Sequence, residues 1–276
     1  MFDASAWPAG TRVALGIEYD GSAFHGWQAQ PHLDCATVQE ALDSALSQIA
    51  ALPIRSHCAG RTDTGVHGLG QVVHFEDPVG RSEKAWVLGT NTVLPASIRV
   101  HWARSVPDSF HARHSATGRR YRFVIANTTV YSALLVGRVT PYRRPLDHQS
   151  MHRAAQALIG EHDFSAFRAA QCQAQSPVRE VTALTVTREG SFVFIDIAAN
   201  AFLHHMVRNI AGSLLMVGAG LRPEAWIAEL LGGRDRTLAA DTAAGSGLYL
   251  AAVDYPDEYS LPSAPEGPFL LAGFGV

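Results

Sequence analysis

What narrows the possible folds most is an order of elements that occurs twice. "RVALGIEYDG" (12–21) reads as a strand running into a Gly turn. Thr37 and Glu40 in "TVQEALDSALSQIAAL" form a capping-box signature, and the apolar residues after them recur at helical spacing. Strands are expected at 54–59 and 70–76, a helix over 82–93 and a strand over 98–106, giving β-α-β-β-α-β. From residue 119 the order begins again. "RRYRFVIAN" (119–127) is a strand, and "LDHQSMHRAAQALIG" (146–160) is a helix capped by Asp147. "VREVTALTV" and "SFVFIDIAA" form a hairpin around Glu189-Gly190. Helices follow over 202–218 and 222–233, the latter with Pro223 near its start and glycines at its end, and "GLYLAAVDY" closes with a strand. The halves share element order without sharing residues. The expected class is therefore α+β: two ferredoxin-like, RRM-like halves, 11–108 and 109–272, with adjoining antiparallel sheets and a central cleft. RNA-recognition modules use this topology, but topology alone assigns no function.

Charge adds a direction. The net charge of −3 hides an imbalance, because residues 99–208 hold 14 basic against 7 acidic side chains and the rest hold 8 against 18. All the basic residues except Lys84 are arginine, which suits forked contacts with phosphate. In "RHSATGRRYR" (113–122) they interleave with an aromatic, as on a nucleic-acid surface; a solvated basic strand edge would look the same. The three cysteines, Cys35, Cys58 and Cys172, are far apart and lack CxxC spacing, so neither a disulfide framework nor a zinc site is expected. The opening "MFDASAWPAG" shows no basic region followed by an apolar core, and "IAGSLLMVGAGL" (210–221) is too short to span a bilayer. A reducing cytoplasm is the expected location.

The densest cluster of reactive groups is "CAGRTDTGVHGLGQVVHF" (58–75). Gly60 and Gly65 permit a tight loop around Asp63, directly before an apolar strand. A carboxylate held there can serve as nucleophile, general base or metal ligand, or can simply close an Asx turn. "DTG" is also the triplet of aspartic peptidases, which need two carboxylates on an all-β frame. Only one triplet is present, and polar residues precede it. A non-catalytic RNA-binding module is the other competing reading. The thirteen histidines contain no HExxH, and His204-His205 are expected to face apart on a helix, as core or RNA-facing groups.

"GRTDTGVH" resembles the signature of the TruA family of tRNA pseudouridine synthases. "EYDGSAFHGWQAQP" (18–31), "DSFHARHSATGRRYRFVI" (108–125), "HDFSAFRAAQCQ" (162–173), "NAFLHHMVRNIAGSL" (200–214) and "GLYLAAVDYP" (247–256) resemble that family in the same order, from about residue 11 to about 272. The resemblance implies isomerisation of uridine to pseudouridine at positions 38, 39 and 40 of the tRNA anticodon stem-loop. It implies no metal or organic cofactor, and a homodimer in which one tRNA meets both subunits. Asp63 matches the family's catalytic aspartate; whether it adds to C6, attacks C1′ or removes a ribose proton is open. Tyr121 in "GRRYRF" matches the tyrosine that stacks on the target base and accepts a later proton; its bland reading is a core residue beside Phe123 and Ile125. Arg208 in "HHMVRN" matches the arginine that pairs with the aspartate, and on its helix is expected one turn from His204 and Gly212. Arg61 matches a residue that displaces the target nucleotide. Arg81, the run Phe110, His111, Ala112, Arg113, His114, and the run Gln171, Cys172, Gln173, Ala174, Gln175 match tRNA-contacting positions. At Gln175 the sequence departs from the family, where an arginine is expected, which puts one phosphate contact in doubt.

Overall fold

The structure, a computed structural model, describes residues 2–30, 35–265 and 267. Pro31 of the 18–31 motif and the end of the expected second half, 268–272, lie outside the described residues. The protein is a mixed α+β chain, and its described residues divide into two compact units. One runs up to Thr117 and takes back the stretch from Leu250 to Gly267; Gly118–Tyr249 form the other. No helix among the described residues is long and apolar enough to cross a membrane.

The first unit begins with β1 (Thr11–Tyr19), followed by α1 (Val38–Ala50), β2 (His57–Cys58), β3 (His67–Asp77), α2 (Thr90–Val93) and β4 (Ile98–Val106). Strand β1 pairs antiparallel with both β3 and β4. Its alternation buries Val13, Leu15, Ile17 and Tyr19 in one apolar cluster with Leu42, Leu46 and Trp86. Ala14, on its other face, joins a second cluster with Trp102, Phe110 and Ala112. Gly16 is required here, since a Cβ would fall 2.1 Å from the Trp102 indole. The capping box forms as expected: Thr37 Oγ1 accepts the Glu40 N–H at 3.3 Å and donates to the Glu40 carboxylate at 2.7 Å.

One expectation in this unit is corrected. The strand expected over 54–59 shrinks to His57–Cys58, because α1 takes the preceding backbone for itself. Ser47 Oγ accepts the Ile54 N–H at 2.8 Å, and the Asp43 carboxylate accepts the Ser56 N–H at 3.0 Å. The helix expected over 82–93 forms over 83–93, and a π-helical turn (Ala85–Gly89) lies within it. The fully buried Asp77 carboxylate accepts N–H bonds from Val79, Gly80 and Arg81 and from the Trp86 indole, drawing the chain inward before the turn.

The second unit contains β5 (Gly118–Ala126), β6 (Thr140–Pro141), α3 (His148–Ala155), β7 (Gly160–Asp163), β8 (Val178–Glu189), β9 (Phe192–Ala199), α4 (Met206–Gly218) and α5 (Trp226–Gly233). Its strands lie in the order β5-β9-β8-β7, all antiparallel, with β6 parallel beside β5. Asp147 caps α3 by accepting the Gln149 and Ser150 N–H groups, and Gly190 takes the positive φ of +54° that the β8–β9 turn needs. Helix α4 starts later than expected. His205 adopts a left-handed conformation (φ +62°) and acts as the N-cap, so 202–205 lie before the helix. His204 and His205 consequently do not face apart on a helix; their ring centroids are 4.0 Å apart. Helix α5 likewise begins at Trp226, whose N–H bonds Pro223 O at 3.1 Å in a preceding turn. The last strand, β10 (Leu248–Asp254), carries the chain back to the first unit, where it lies beside β3.

Candidate active site

Asp63 sits on the loop between β2 and β3, half-buried, with Arg61 exposed two residues before it. Its position is set by the residues after β1. The Tyr19 hydroxyl, at the end of β1, and Thr62 Oγ1 share a buried hydrogen bond of 2.8 Å. The Trp27 N–H donates to Thr62 O at 2.9 Å, and the Gly65 N–H donates to Phe24 O. Gly26 lies against the loop with a φ of +85°, and a Cβ there would come within 2.8 Å of Thr62 O and 3.2 Å of the Asp63 carbonyl carbon. On the other side, the fully buried Gln71 accepts the Gly60 N–H and donates to Gly60 O at 2.6 Å. The Val66 N–H returns to Asp63 O at 3.1 Å and closes the turn. Each neutral hydrogen bond contributes about 0.5–1.5 kcal/mol. Together they hold a carboxylate-bearing turn on two sides, as positioned chemistry requires.

In the second unit, Tyr121 lies on β5 opposite Ile197 of β9 and is 9% exposed. Its ring meets Phe202 edge-on, with centroids 5.0 Å apart. The next residue departs from both readings of 113–122, a nucleic-acid surface and a solvated basic strand edge. Arg122 is buried, and its guanidinium forks onto the buried Asp196 carboxylate at 2.6 and 2.7 Å. Arg208, in the first turn of α4, is half-buried and donates from Nε to Ala243 O at 2.7 Å, while the Ala243 N–H returns to Arg208 O. His204 is not on that helix, so the expected one-turn spacing to Arg208 does not apply. Gly212, one turn on, is pressed against Asp241 O, which a Cβ would approach to 2.2 Å.

The expected RNA-contact residues sort by exposure. In the 110–114 loop the side chains of Phe110 and Ala112 are wholly buried, whereas Arg113 and His114 are exposed and His111 is half-buried. Arg12 fastens this loop, donating to Phe110 O at 2.9 Å and to Asp108 O while pairing with Glu76. Beside it lies a histidine cluster: ring centroids are 5.1 Å apart for the stacked His57 and His74, and 4.5 Å for His74 and His111 and 4.3 Å for His111 and His114, both tilted. The Ala112 N–H donates to His74 Nδ1, and the Arg113 N–H donates to His111 Nδ1, both at 3.1 Å. Burial and the neighbouring histidines and Arg12 push the His74 pKa down to about 3, and the same causes lower that of His111. Arg81 is exposed, with its Nε on Ile49 O at the end of α1. In the 171–175 run, Arg168 donates to Cys172 O and Ala174 O, and the His204 N–H points to Cys172 Sγ; Gln171, Gln173 and Gln175 lie outside the regular elements.

The family model described as tRNA pseudouridine synthase matches residues 16–115 and 154–256. The chain belongs to the tRNA pseudouridine synthase family. Curated relatives named tRNA pseudouridine synthase A, from Salmonella paratyphi B and Salmonella newport, are each 59% identical over 261 residues, covering 95% of this chain and 96% of theirs. Among solved structures, a chain in a crystal structure of a Cbf5-Nop10-Gar1 complex matches 88% of this chain and 50% of its own length at 15% identity, with a TM-score of 0.35, too slight to bear on the fold. As a tRNA pseudouridine synthase the protein isomerises uridine to pseudouridine in tRNA, which sets aside the peptidase and the non-catalytic readings. Asp63 and Arg208 fall inside the matched segments, and Tyr121 falls in the unmatched stretch between them. Reading the sequence missed the residues that do the holding. Tyr19 and Gly26 stand in the quoted 18–31 motif, but nothing local says that they reach Thr62. Arg122 and Asp196 are 74 positions apart, and only the register of β5 on β9 joins them.

Proposed function

We propose that the protein acts on uridines 38, 39 and 40 of the anticodon stem-loop, with Asp63 as the nucleophile. In the net reaction the bond from C1′ to N1 breaks and a bond from C1′ to C5 forms, while N1 gains a proton and C5 loses one. A carboxylate that bonds covalently to the substrate divides this exchange into easier steps. The observation carrying the assignment is the clamp on the Asp63 turn: Tyr19, Trp27 and Gly26 hold Thr62, the residue before the carboxylate. Tyr121 stacks on the target base and its hydroxyl accepts the C5 proton, and Arg208 supplies the cation of the site. The glycosidic bond is inaccessible inside a stacked stem, so the uridine is flipped out, at a cost of a few kcal/mol, with Arg61 filling its place.

Arg113 and His114 with Arg81 supply contacts along the RNA backbone, together with the 171–175 run, in which Gln175 offers hydrogen bonds in place of an arginine's charge. The buried Phe110 and Ala112 support that contact by shaping the loop. The functional unit is a homodimer, needs no metal or organic cofactor, and works in the cytoplasm, where its tRNA substrates are. Chemical mapping of pseudouridine after incubation with unmodified tRNA transcripts tests the site assignment. Product at 38, 39 and 40 alone is expected, and product confined to another arm of the tRNA would refute it.

A further inference from the structure

Arg122 and Asp196 are charged side chains buried within the second unit, and the reaction as derived above uses neither. They are direct cross-strand partners on β5 and β9, joined by Nε–Oδ1 at 2.6 Å and Nη2–Oδ2 at 2.7 Å. The Arg122 guanidinium also lies over the Phe194 ring, 5.0 Å from its centroid. Replacing such a pair with apolar residues of similar volume is often neutral or stabilising, because desolvating two charges offsets most of their attraction. Bulk stability is therefore a poor reason for an ion pair here.

Register is a better one. Around the pair, β5 carries Phe123, Val124 and Ile125, and β9 carries Val193, Phe194, Ile195 and Ile197, all of them buried. Apolar residues of similar size exchange partners at little cost, so this stretch specifies its alignment weakly. A slip of one residue would turn every side chain of β5 to the opposite face. Tyr121 immediately precedes Arg122 and points to the other face of the same strand. A slip of two residues would leave Arg122 buried against Phe194 or Ala198, without its carboxylate directly opposite. We propose that the Arg122–Asp196 pair is a register lock whose task is to place Tyr121 for the reaction, which makes both of them positioning residues. This rests on the reading of Tyr121 as the residue that meets the uridine.

The test compares the full-length wild type with Arg122→Met/Asp196→Leu and with the exchanged pair Arg122→Asp/Asp196→Arg. Melting temperature, affinity for a substrate tRNA transcript and single-turnover rate are measured for each. The apolar pair is expected to melt within a few degrees of wild type and to bind tRNA within about twofold, yet to turn over at least tenfold more slowly. The exchanged pair is expected to recover the rate to within about threefold. Adding Tyr121→Leu should cost the apolar pair much less than it costs wild type. A wild-type rate in the apolar pair would overturn the lock. So would an exchanged pair that melts like wild type and stays tenfold slow, which also decides the matter if the apolar pair does not fold. Tyr121→Leu with full turnover in the wild-type background would instead overturn the reading of Tyr121.

Discussion

The turn that carries Asp63 and the strand that carries Tyr121 fix their side chains by different physics. Asp63 stands on irregular backbone, steadied from residues 36 to 44 positions earlier: by the neutral hydrogen bonds of the Tyr19 hydroxyl on Thr62 and the Trp27 N–H on Thr62 O, and by Gly26 pressed against both residues. Tyr121 stands in a regular ladder opposite Ile197, beside a buried forked ion pair. A loop makes a carboxylate reachable but has no register, so each of its backbone groups needs its own partner. A strand has its partners already and lacks only a marker for alignment. The first device should therefore be sensitive to bulk at one glycine, and the second to loss of charge pairing.

The largest effect that bears on this contrast is expected at Tyr121. Tyr121→Phe keeps the ring and its contact with Phe202, so melting temperature and tRNA affinity should stay near wild type. Losing a proton acceptor in the reaction should slow turnover by about 10²–10⁴-fold. Full turnover would leave Tyr121 as a stacking platform only. Next comes Gly26→Ala, which puts a Cβ at 2.8 Å from Thr62 O in a backbone conformation that L side chains rarely adopt. A displacement of Asp63 by about 1 Å costs on the order of 10²-fold in rate. The expected result is that loss in turnover with tRNA affinity retained, and an unchanged rate would show that the clamp does not position the carboxylate.

Arg113→Ala should weaken binding to all substrate tRNAs by similar factors, a few-fold each, and reduce the salt dependence by about one phosphate contact. An effect confined to one tRNA sequence would contradict phosphate positioning. The smallest effect concerns acid. Burial and the neighbouring histidines and Arg12 disfavour the charged forms of His74 and His111 in the folded protein, lowering both pKa values below the ordinary 6.5, that of His74 to about 3. Below pH ~6.5 the unfolded chain binds protons that the folded chain does not, so this contribution to stability is full above that pH and falls as pH drops towards about 3. The melting temperature should decline from pH 7.5 to pH 5, and the decline should be shallower in His74→Gln. Equal slopes for the two proteins would remove the histidine cluster from the acid response.

Much of this could be read from sequence where the cause is local. Thr37 and Glu40 start α1, Asp147 starts α3, and Glu189-Gly190 turns the β8–β9 hairpin, each within a few residues. Local pattern failed where a distant group took over the backbone. Residues 54–56 alternate like a strand, but Asp43 and Ser47 hold them on α1. Residues 202–205 have helical spacing, but His205 turns left-handed. The site divides the same way: Asp63 was visible inside a motif, whereas its clamp depends on Tyr19 reaching Thr62 across 43 positions. The burial of Arg122 depends on a carboxylate that lies on another strand.

The central claim is that one carboxylate, held on the 59–66 turn, carries the covalent chemistry. The most direct test uses tRNA with tritium at C5 of its uridines, because pseudouridine formation expels that hydrogen to solvent. Wild type and Asp63→Asn are compared in single turnover, each saturated with tRNA to the same bound fraction. The amide keeps the shape of the side chain and loses the anion, so the variant should bind as wild type does and release no tritium above background. Release from Asp63→Asn at the wild-type rate would contradict the assignment of Asp63 as nucleophile.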